Sequence, residues 1–201
     1  MDMPTLIGGV LCLDFVNTVD PRHATDRRDY LDSYPALVQW AHYVGTIDAT
    51  VRERLSKAAA ADPSEARRVL QRAITLREAL YVIFAEAING QPPAHEDLDS
   101  LHGELTSAMT HIQVQWAATG FAWGWDDPGH GLDRVLWPVV QSAADLLVSG
   151  PLGRVRECPG EGNCGWLFID LSKNASRRWC DMRSCGNRAK AHRYRVRARK
   201  A

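Results

Sequence analysis

The chain has 201 residues, of which 45% are hydrophobic, so it can bury a core, and a generally disordered chain is excluded. Its formal net charge is zero, but residues 151–201 carry 13 Lys/Arg against 4 Asp/Glu (+9), and residues 1–150 carry 11 against 20 (−9). This asymmetry indicates a basic C-terminal part that contacts a polyanion. No apolar run approaches the length of a membrane span, so we expect no membrane partner. We predict two domains, residues 1–150 and residues 151–201.

The start of the chain lacks the features of a secretory signal. Met1-Asp2-Met3-Pro4 places no basic segment ahead of an apolar run, so we expect a cytoplasmic location. In that reducing compartment, clustered cysteines favour metal binding over disulfide formation. The isolated Cys12 is expected to be a buried small hydrophobic residue.

The first 150 residues predict a mainly helical domain with a small β-hairpin. The apolar segment 9–18 is either a buried strand or the first turn of a buried helix, because periodicity does not separate the two. Apolar spacing and capping residues predict five further helices. They run from Ser33 or Tyr34 to Gly45, from Asp48 to Ala61, from the cap at Asp62 to Asn89, from His95 to Met109, and from Leu132 to Val148.

A β-hairpin is predicted at residues 112–116 and 121–125, where apolar residues alternate on either side of Thr119-Gly120. Its tryptophans, Trp116, Trp123 and Trp125, favour a core position or a homodimer surface over an aromatic cage for a ligand.

Four cysteines in the C-terminal part predict one structural zinc site. Zn²⁺ takes four soft or borderline ligands in a tetrahedron, and short paired gaps bring thiols to one point. Pro159, Gly160 and Gly162 allow the backbone of the first gap to curl. His192 lies too far along the following helix to share this site. The expected ligands are Cys158, Cys164, Cys180 and Cys185.

The residues around these cysteines predict a treble-clef-like finger. Residues 166–170 predict a strand, residues 177–179 its returning partner, and the chain turns helical from about Arg183. Ala191, Tyr194 and Ala198 are expected to pack this helix onto the hairpin.

The remaining positions of the helix are basic on both flanks, which suits contact with a phosphate backbone or a major groove. Double-stranded DNA is the predicted partner. The alternatives are a solvated basic face and a helix docked on the acidic N-terminal domain. The candidate nucleic-acid-binding residues are Arg177, Arg178, Arg188, Lys190, Arg193, Arg195, Arg197 and Arg199.

Several segments together resemble a known family. Residues 164–170 (CGWLFID), 177–182 (RRWCDM) and 185–190 (CGNRAK) are similar to the CGNR zinc finger, and residues 12–18 (CLDFVNT), 76–80 (LREAL) and 143–147 (AADLL) are similar to the ABATE-type domain that precedes it. The resemblance covers nearly the whole chain and departs from the finger pattern in a first cysteine gap lengthened by Gly160-Glu161-Gly162. It implies a bacterial stress-induced transcriptional regulator whose finger binds DNA.

Polar residues within apolar segments of the N-terminal domain are candidates for a small-molecule effector site. Asp14, Asn17 and Arg77 could line a pocket. The alternative is structural: Arg77 pairs with Asp14, and Asn17 caps a helix.

Three functional classes remain. The first is a zinc-finger regulator with a ligand-responsive domain. The second is a protein- or RNA-interaction module with a purely structural zinc site. The third is an enzyme, which we do not expect because the sequence contains no nucleophile elbow, phosphate-binding loop, dinucleotide fingerprint or HExxH spacing.

Overall fold

The computed structural model describes residues 3–127, 131–160 and 163–198, and its fold is mainly helical with small antiparallel hairpins, as predicted. The helices are α1 (Leu11–Val16), α2 (Tyr34–Tyr43), α3 (Ala49–Ala61), α4 (Pro63–Ile88), α5 (His95–Met109), α6 (Trp137–Val148) and α7 (Asn187–Ala198). The strands pair as β1 (Val19–Asp20) with β2 (Arg28–Asp29), β3 (Ile112–Ala117) with β4 (Gly120–Trp125), and β5 (Val155–Glu157) with β6 (Leu167–Ile169). Within these residues, no helix combines the length and apolar character needed to cross a membrane.

Local capping fixes the predicted helix starts. The side chains of Ser33, Asp48 and Asp62 each accept a hydrogen bond from the backbone N–H three residues further on. These bonds satisfy donors that a helix start leaves free. Gly45, with φ of +79°, ends the turn after α2 in a backbone region that glycine tolerates best.

The core of the N-terminal part is built around α4, which α1, α2, α3 and α5 contact. Its buried face repeats at helical spacing over Val69, Ala73, Leu76, Leu80 and Phe84. Against this face lies α1, whose Cys12, Leu13, Phe15 and Val16 are fully buried.

The structure decides the conformation of one segment that the sequence left open and corrects the start of one predicted helix. The segment left open between strand and helix contains α1, and its Asp14 Oδ1 accepts a hydrogen bond from Gly8 N (2.8 Å) ahead of the helix. The helix predicted from Leu132 is divided, since a 3₁₀ turn at Leu132–Val135 precedes α6. Pro138 lies in the first turn of α6, where its missing N–H leaves no helical bond unmade.

The predicted β3–β4 hairpin is confirmed, with Trp116 opposite Phe121 and Val114 opposite Trp123. Of its tryptophans, only Trp125 packs on the core, 5.8 Å from the ring centroid of Trp137. Residues 113–119 and 121–123 of the hairpin are exposed to solvent.

The strand pairing of the C-terminal part differs from the prediction. The partner of β6 is β5, which precedes the first cysteine pair, and the returning strand predicted at residues 177–179 is wrong. The reason is Asp170, whose carboxylate accepts hydrogen bonds from Ser172 N (2.9 Å) and Arg177 N (2.9 Å). These bonds hold residues 170–177 as a tight turn, and the chain leaves it without pairing with β6.

Candidate metal centre and nucleic-acid interface

The four predicted thiols meet in one buried cluster. The Sγ atoms of Cys158, Cys164, Cys180 and Cys185 all lie within 4.8 Å of one another. Two of the separations, Cys164–Cys180 at 3.7 Å and Cys180–Cys185 at 3.6 Å, are far longer than a disulfide bond. A tetrahedron with Zn–S bonds of about 2.3 Å requires S–S edges of about 3.8 Å. The cluster therefore fits one zinc ion with four cysteine ligands and no open position, which is a structural site.

The first ligand pair lies in a tight knuckle between β5 and β6. A Cβ atom on Gly160 would lie 2.8 Å from Cys164 Cβ and 2.9 Å from Cys185 Sγ, so no larger residue fits there without displacing a ligand. Gly165 has φ of +65° and its hydrogen faces His23, whose ring a Cβ would meet at 2.5 Å. Of the two glycines that the sequence singled out, Gly160 thus allows a close approach of the ligands, and Gly162 lies outside the described residues.

The second ligand pair is held by Arg177 and by a wide turn. Arg177 Nε donates to Trp179 O (3.1 Å), its Nη2 donates to Cys180 O, and its guanidinium lies 4.4 Å from the Phe168 ring centroid. Cys185 follows in a π-type turn at Met182–Gly186 that leads directly into α7. The metal therefore fixes the direction in which α7 leaves the finger.

The thiols influence one another's protonation. Hydrogen bonds from Cys164 and Cys180 hold the pKa of Cys158 far below its ordinary value, while hydrogen bonds to Cys158 and Cys164 raise the pKa of Cys180. One thiolate is thus favoured and further deprotonation beside it is opposed. A bound Zn²⁺ ion would offset the repulsion between neighbouring thiolates and allow all four to be deprotonated. Arg188 Nη2 adds a hydrogen bond to Cys185 Sγ (3.4 Å), which further stabilises negative charge on sulfur.

The finger is packed into the N-terminal part. The Asn17 side chain bonds β6 in both directions, since Nδ2 donates to Leu167 O (2.8 Å) and Oδ1 accepts from Leu167 N (2.9 Å). Further bonds across the same boundary are Ile169 N to Gly8 O (2.9 Å), Trp166 Nε1 to Val19 O (2.7 Å) and Arg22 N to Cys164 O (2.9 Å). Val155, Leu167 and Ile169 also belong to the main hydrophobic core. The zinc site is therefore anchored to the helical part.

The structure does not bring the three predicted effector residues into one cavity. Asp14 bonds Gly8, Asn17 bonds β6, and Arg77 is fully buried in a separate ion-pair network. The predicted Arg77–Asp14 pair is wrong, because both Arg77 Nη atoms bond Asp29 (2.7 and 2.8 Å). Asn17 does stand at the C-cap of α1, but its side chain is used to hold the finger.

Sequence reasoning missed Asp29, Glu78 and Arg22, which complete the network of Arg77. Arg77 Nε donates to Glu78 Oε1 (2.9 Å), and Arg22 Nη1 donates to Glu78 Oε2 (2.8 Å). Burial alone would raise the pKa of Asp29, but the bonds from Arg77 outweigh it, and the pKa falls below its usual value. Arg22 and Asp29 lie in the charged segment 19–33 and Glu78 adjoins Arg77 in the chain, but no spacing in the sequence links these positions.

Most side chains of the terminal helix α7 are exposed. Ala189 packs on the finger, but every residue from Lys190 to Ala198 is exposed. The expectation that Ala191, Tyr194 and Ala198 pack on the hairpin is therefore wrong, as is the alternative of a helix docked on the acidic domain. The reason is that these positions are exposed, so they bury no surface against either element.

The candidate nucleic-acid-binding residues divide by environment. Arg177 and Arg188 contact the metal site, as described above. Arg199 lies outside the described residues. The others are exposed: Arg178, Lys190, Arg193, Arg195 and Arg197. Between Asn187 and Ala198 there is no acidic residue, so α7 is cationic on all sides.

A buried four-cysteine site that positions an exposed helix, joined to a helical domain, defines a zinc-finger protein with a helical N-terminal domain. Two family comparisons agree: residues 9–150 match the ABATE family, described as "Putative stress-induced transcription regulator", and residues 154–198 match the CGNR zinc finger. The chain belongs to the ABATE family, and its finger holds one structural zinc ion. No match to a curated protein was found.

Proposed function

We propose that this protein is a DNA-binding transcriptional regulator that acts by binding and not by catalysis, and that it works in the cytoplasm. The observation that carries the proposal is α7: an exposed helix of 12 residues with five Arg/Lys and no acid, fixed at its base by the zinc site. Packing does not explain the presence of this helix, because it buries very little apolar surface against the rest of the chain.

The charge of α7 suits a polyanion better than a protein groove. Its basic residues lie on all sides of the helix, so phosphates on both strands flanking a groove are within reach of one helix. The major groove of a DNA duplex admits an α-helix, whereas that of an RNA duplex is too narrow. Double-stranded DNA is therefore the preferred partner over RNA or protein.

Binding is tested by fluorescence anisotropy with a labelled DNA duplex and the zinc-loaded full chain. Replacing Arg193 and Arg197 together with glutamine should weaken binding about tenfold or more, because each removes a phosphate contact. The charge-matched control replaces Arg27 and Lys57, which are exposed on the N-terminal part, and should bind like the wild type. Equal weakening in both variants would mean that only net charge matters and would contradict a role for α7. Tighter binding to duplex RNA than to DNA would instead favour the RNA-interaction alternative.

For the effector, we propose the cleft between α2, α3 and α4 in place of the three residues predicted from sequence. Its volume is about 580 Å³, within the range of small-molecule sites, and its walls are mostly apolar, including Val38, Ala59 and Leu70, with Arg67 at the rim. This lining suits an apolar molecule with an anionic group.

The cleft is probed with the apolar anionic dye anilinonaphthalene sulfonate. Saturable binding that Ala59→Trp reduces several-fold is the expected result, because the larger side chain occupies the cleft. The assignment of the effector site to this cleft would be contradicted if the wild type showed no saturable dye binding. It would also be contradicted if Ala59→Trp bound the dye as tightly as the wild type.

A further inference from the structure

The β3–β4 hairpin presents four large apolar side chains to solvent on one face. Val114 is 60% exposed, Trp116 76%, Phe121 78% and Trp123 65%. They form two cross-strand pairs in register, and the Trp116 and Phe121 rings meet edge to face at 5.0 Å. Such a cluster of exposed aromatic residues is unusual for a surface exposed only to water and marks an interaction site.

The edges and the composition of the hairpin point the same way. In the described part of the structure, its sheet has only these two strands, so both outer edges are open. Two-stranded hairpins are marginally stable in water on their own, and exposed edges are usually blunted with charged residues. Here residues 112–125 contain no Asp, Glu, Lys or Arg.

We propose that this aromatic face is the interface of a homodimer, in which the hairpins of two copies pack face to face around a twofold axis. The absence of charge excludes attraction to phosphates or to anionic headgroups, and it leaves nothing to select a charged protein partner. An apolar face is complementary to itself, which a twofold interface requires.

The exposed area is sufficient for a dimer. Three aromatic side chains and a valine with these exposures offer roughly 500 Å² per copy, so pairing removes roughly 1,000 Å² in total, about the lower limit for a specific interface. Trp123 also borders a groove of about 580 Å³ along α6, lined by Val10, Pro138 and Leu146, which extends the apolar surface beyond the hairpin.

The dimer is tested by sedimentation equilibrium of the zinc-loaded full chain over a wide concentration range and without nucleic acid. The wild type is expected at twice the 22.4 kDa chain mass. Trp116→Arg should shift the protein to the single-chain mass, because it buries a charge in the interface. Gln113→Arg lies on the same strand but on the opposite, exposed face, and should leave the dimer intact.

Zinc content and far-ultraviolet circular dichroism confirm that both variants are folded. A second readout is amide hydrogen exchange of residues 112–125, which should slow several-fold in the wild type as concentration rises and stay constant in Trp116→Arg. A wild type that remains a single chain throughout would overturn the proposal. A dimer that survives Trp116→Arg, or that Gln113→Arg disrupts equally, would overturn the assignment to this face.

Discussion

Replacing Cys180 with serine is expected to abolish zinc retention and to lower the free energy of unfolding by more than about 4 kcal/mol, since the binding energy of a structural zinc ion is also folding energy. Cys180 lies between two other ligands, at 3.6 and 3.7 Å, so its loss opens the tetrahedron. Zinc per chain is measured by elemental analysis and stability by thermal unfolding. The matched control is Cys12→Ser, at a buried cysteine outside the cluster, which should keep one zinc per chain.

The same variant reports on the helical part. Because β6 is bonded to Asn17 and contributes Leu167 and Ile169 to the main core, loss of zinc should destabilise the N-terminal helices in the same transition. Retention of one zinc per chain by Cys180→Ser would refute the ligand assignment. A helical part that unfolds at its wild-type temperature would refute the coupling.

Replacing Arg77 with methionine is expected to lower the free energy of unfolding by about 2–4 kcal/mol, although Arg77 touches neither the zinc site nor α7. Its guanidinium is fully buried and bonds Asp29 twice and Glu78 once. Removing Arg77 leaves the carboxylates of Asp29 and Glu78, whose side chains are 32% and 39% exposed, without their buried partner, and water replaces only part of the lost interaction. Denaturant unfolding at neutral pH measures the loss.

A matched control for this prediction lies on the same helix. Arg72 forms two bonds to Glu104, both 2.8 Å, and one to Asp133 (3.2 Å), but its own side chain is about one-third exposed, so Arg72→Met should cost less, about 1–2 kcal/mol. The cost of Arg77→Met should also shrink on acidification. Arg77 lowers the pKa of Asp29, so its stabilising effect is present at neutral pH and is lost as the pH falls through the folded-state pKa, below the usual value of 3.8. Equal costs at both arginines, or a cost independent of pH, would contradict the network.

The zinc site could be predicted from the sequence because its information is local. About 45 residues contain all of its features: four cysteines separated by short gaps, a glycine-rich knuckle and the following basic helix. Four clustered thiols are ligands that Zn²⁺ prefers, so the kind of site follows from the residue types. The helix starts at Ser33, Asp48 and Asp62 were equally local, since each cap acts on a backbone group three residues away.

What the sequence could not supply were contacts between distant segments. Asn17 bonds Leu167, which lies 150 positions further along the chain, and Arg77 pairs with Asp29 and not with the expected Asp14. Neither contact can be recognised from the spacing of residues in the sequence. The returning strand at residues 177–179 was predicted from composition, but one carboxylate, Asp170, redirects the chain. The exposure of α7 depends on how the metal site orients the start of this helix, which no local sequence pattern encodes.

The salt dependence of DNA affinity tests most directly the claim that α7 is the phosphate-binding element. The logarithm of the binding constant should fall linearly with the logarithm of salt concentration, and replacing Arg193 and Arg197 with glutamine should reduce the slope by about 2 per bound copy, about one for each lost contact. The control replacing Arg27 and Lys57 should keep the wild-type slope. An unchanged slope in the α7 variant would show that its arginines contact no phosphate and would contradict the account.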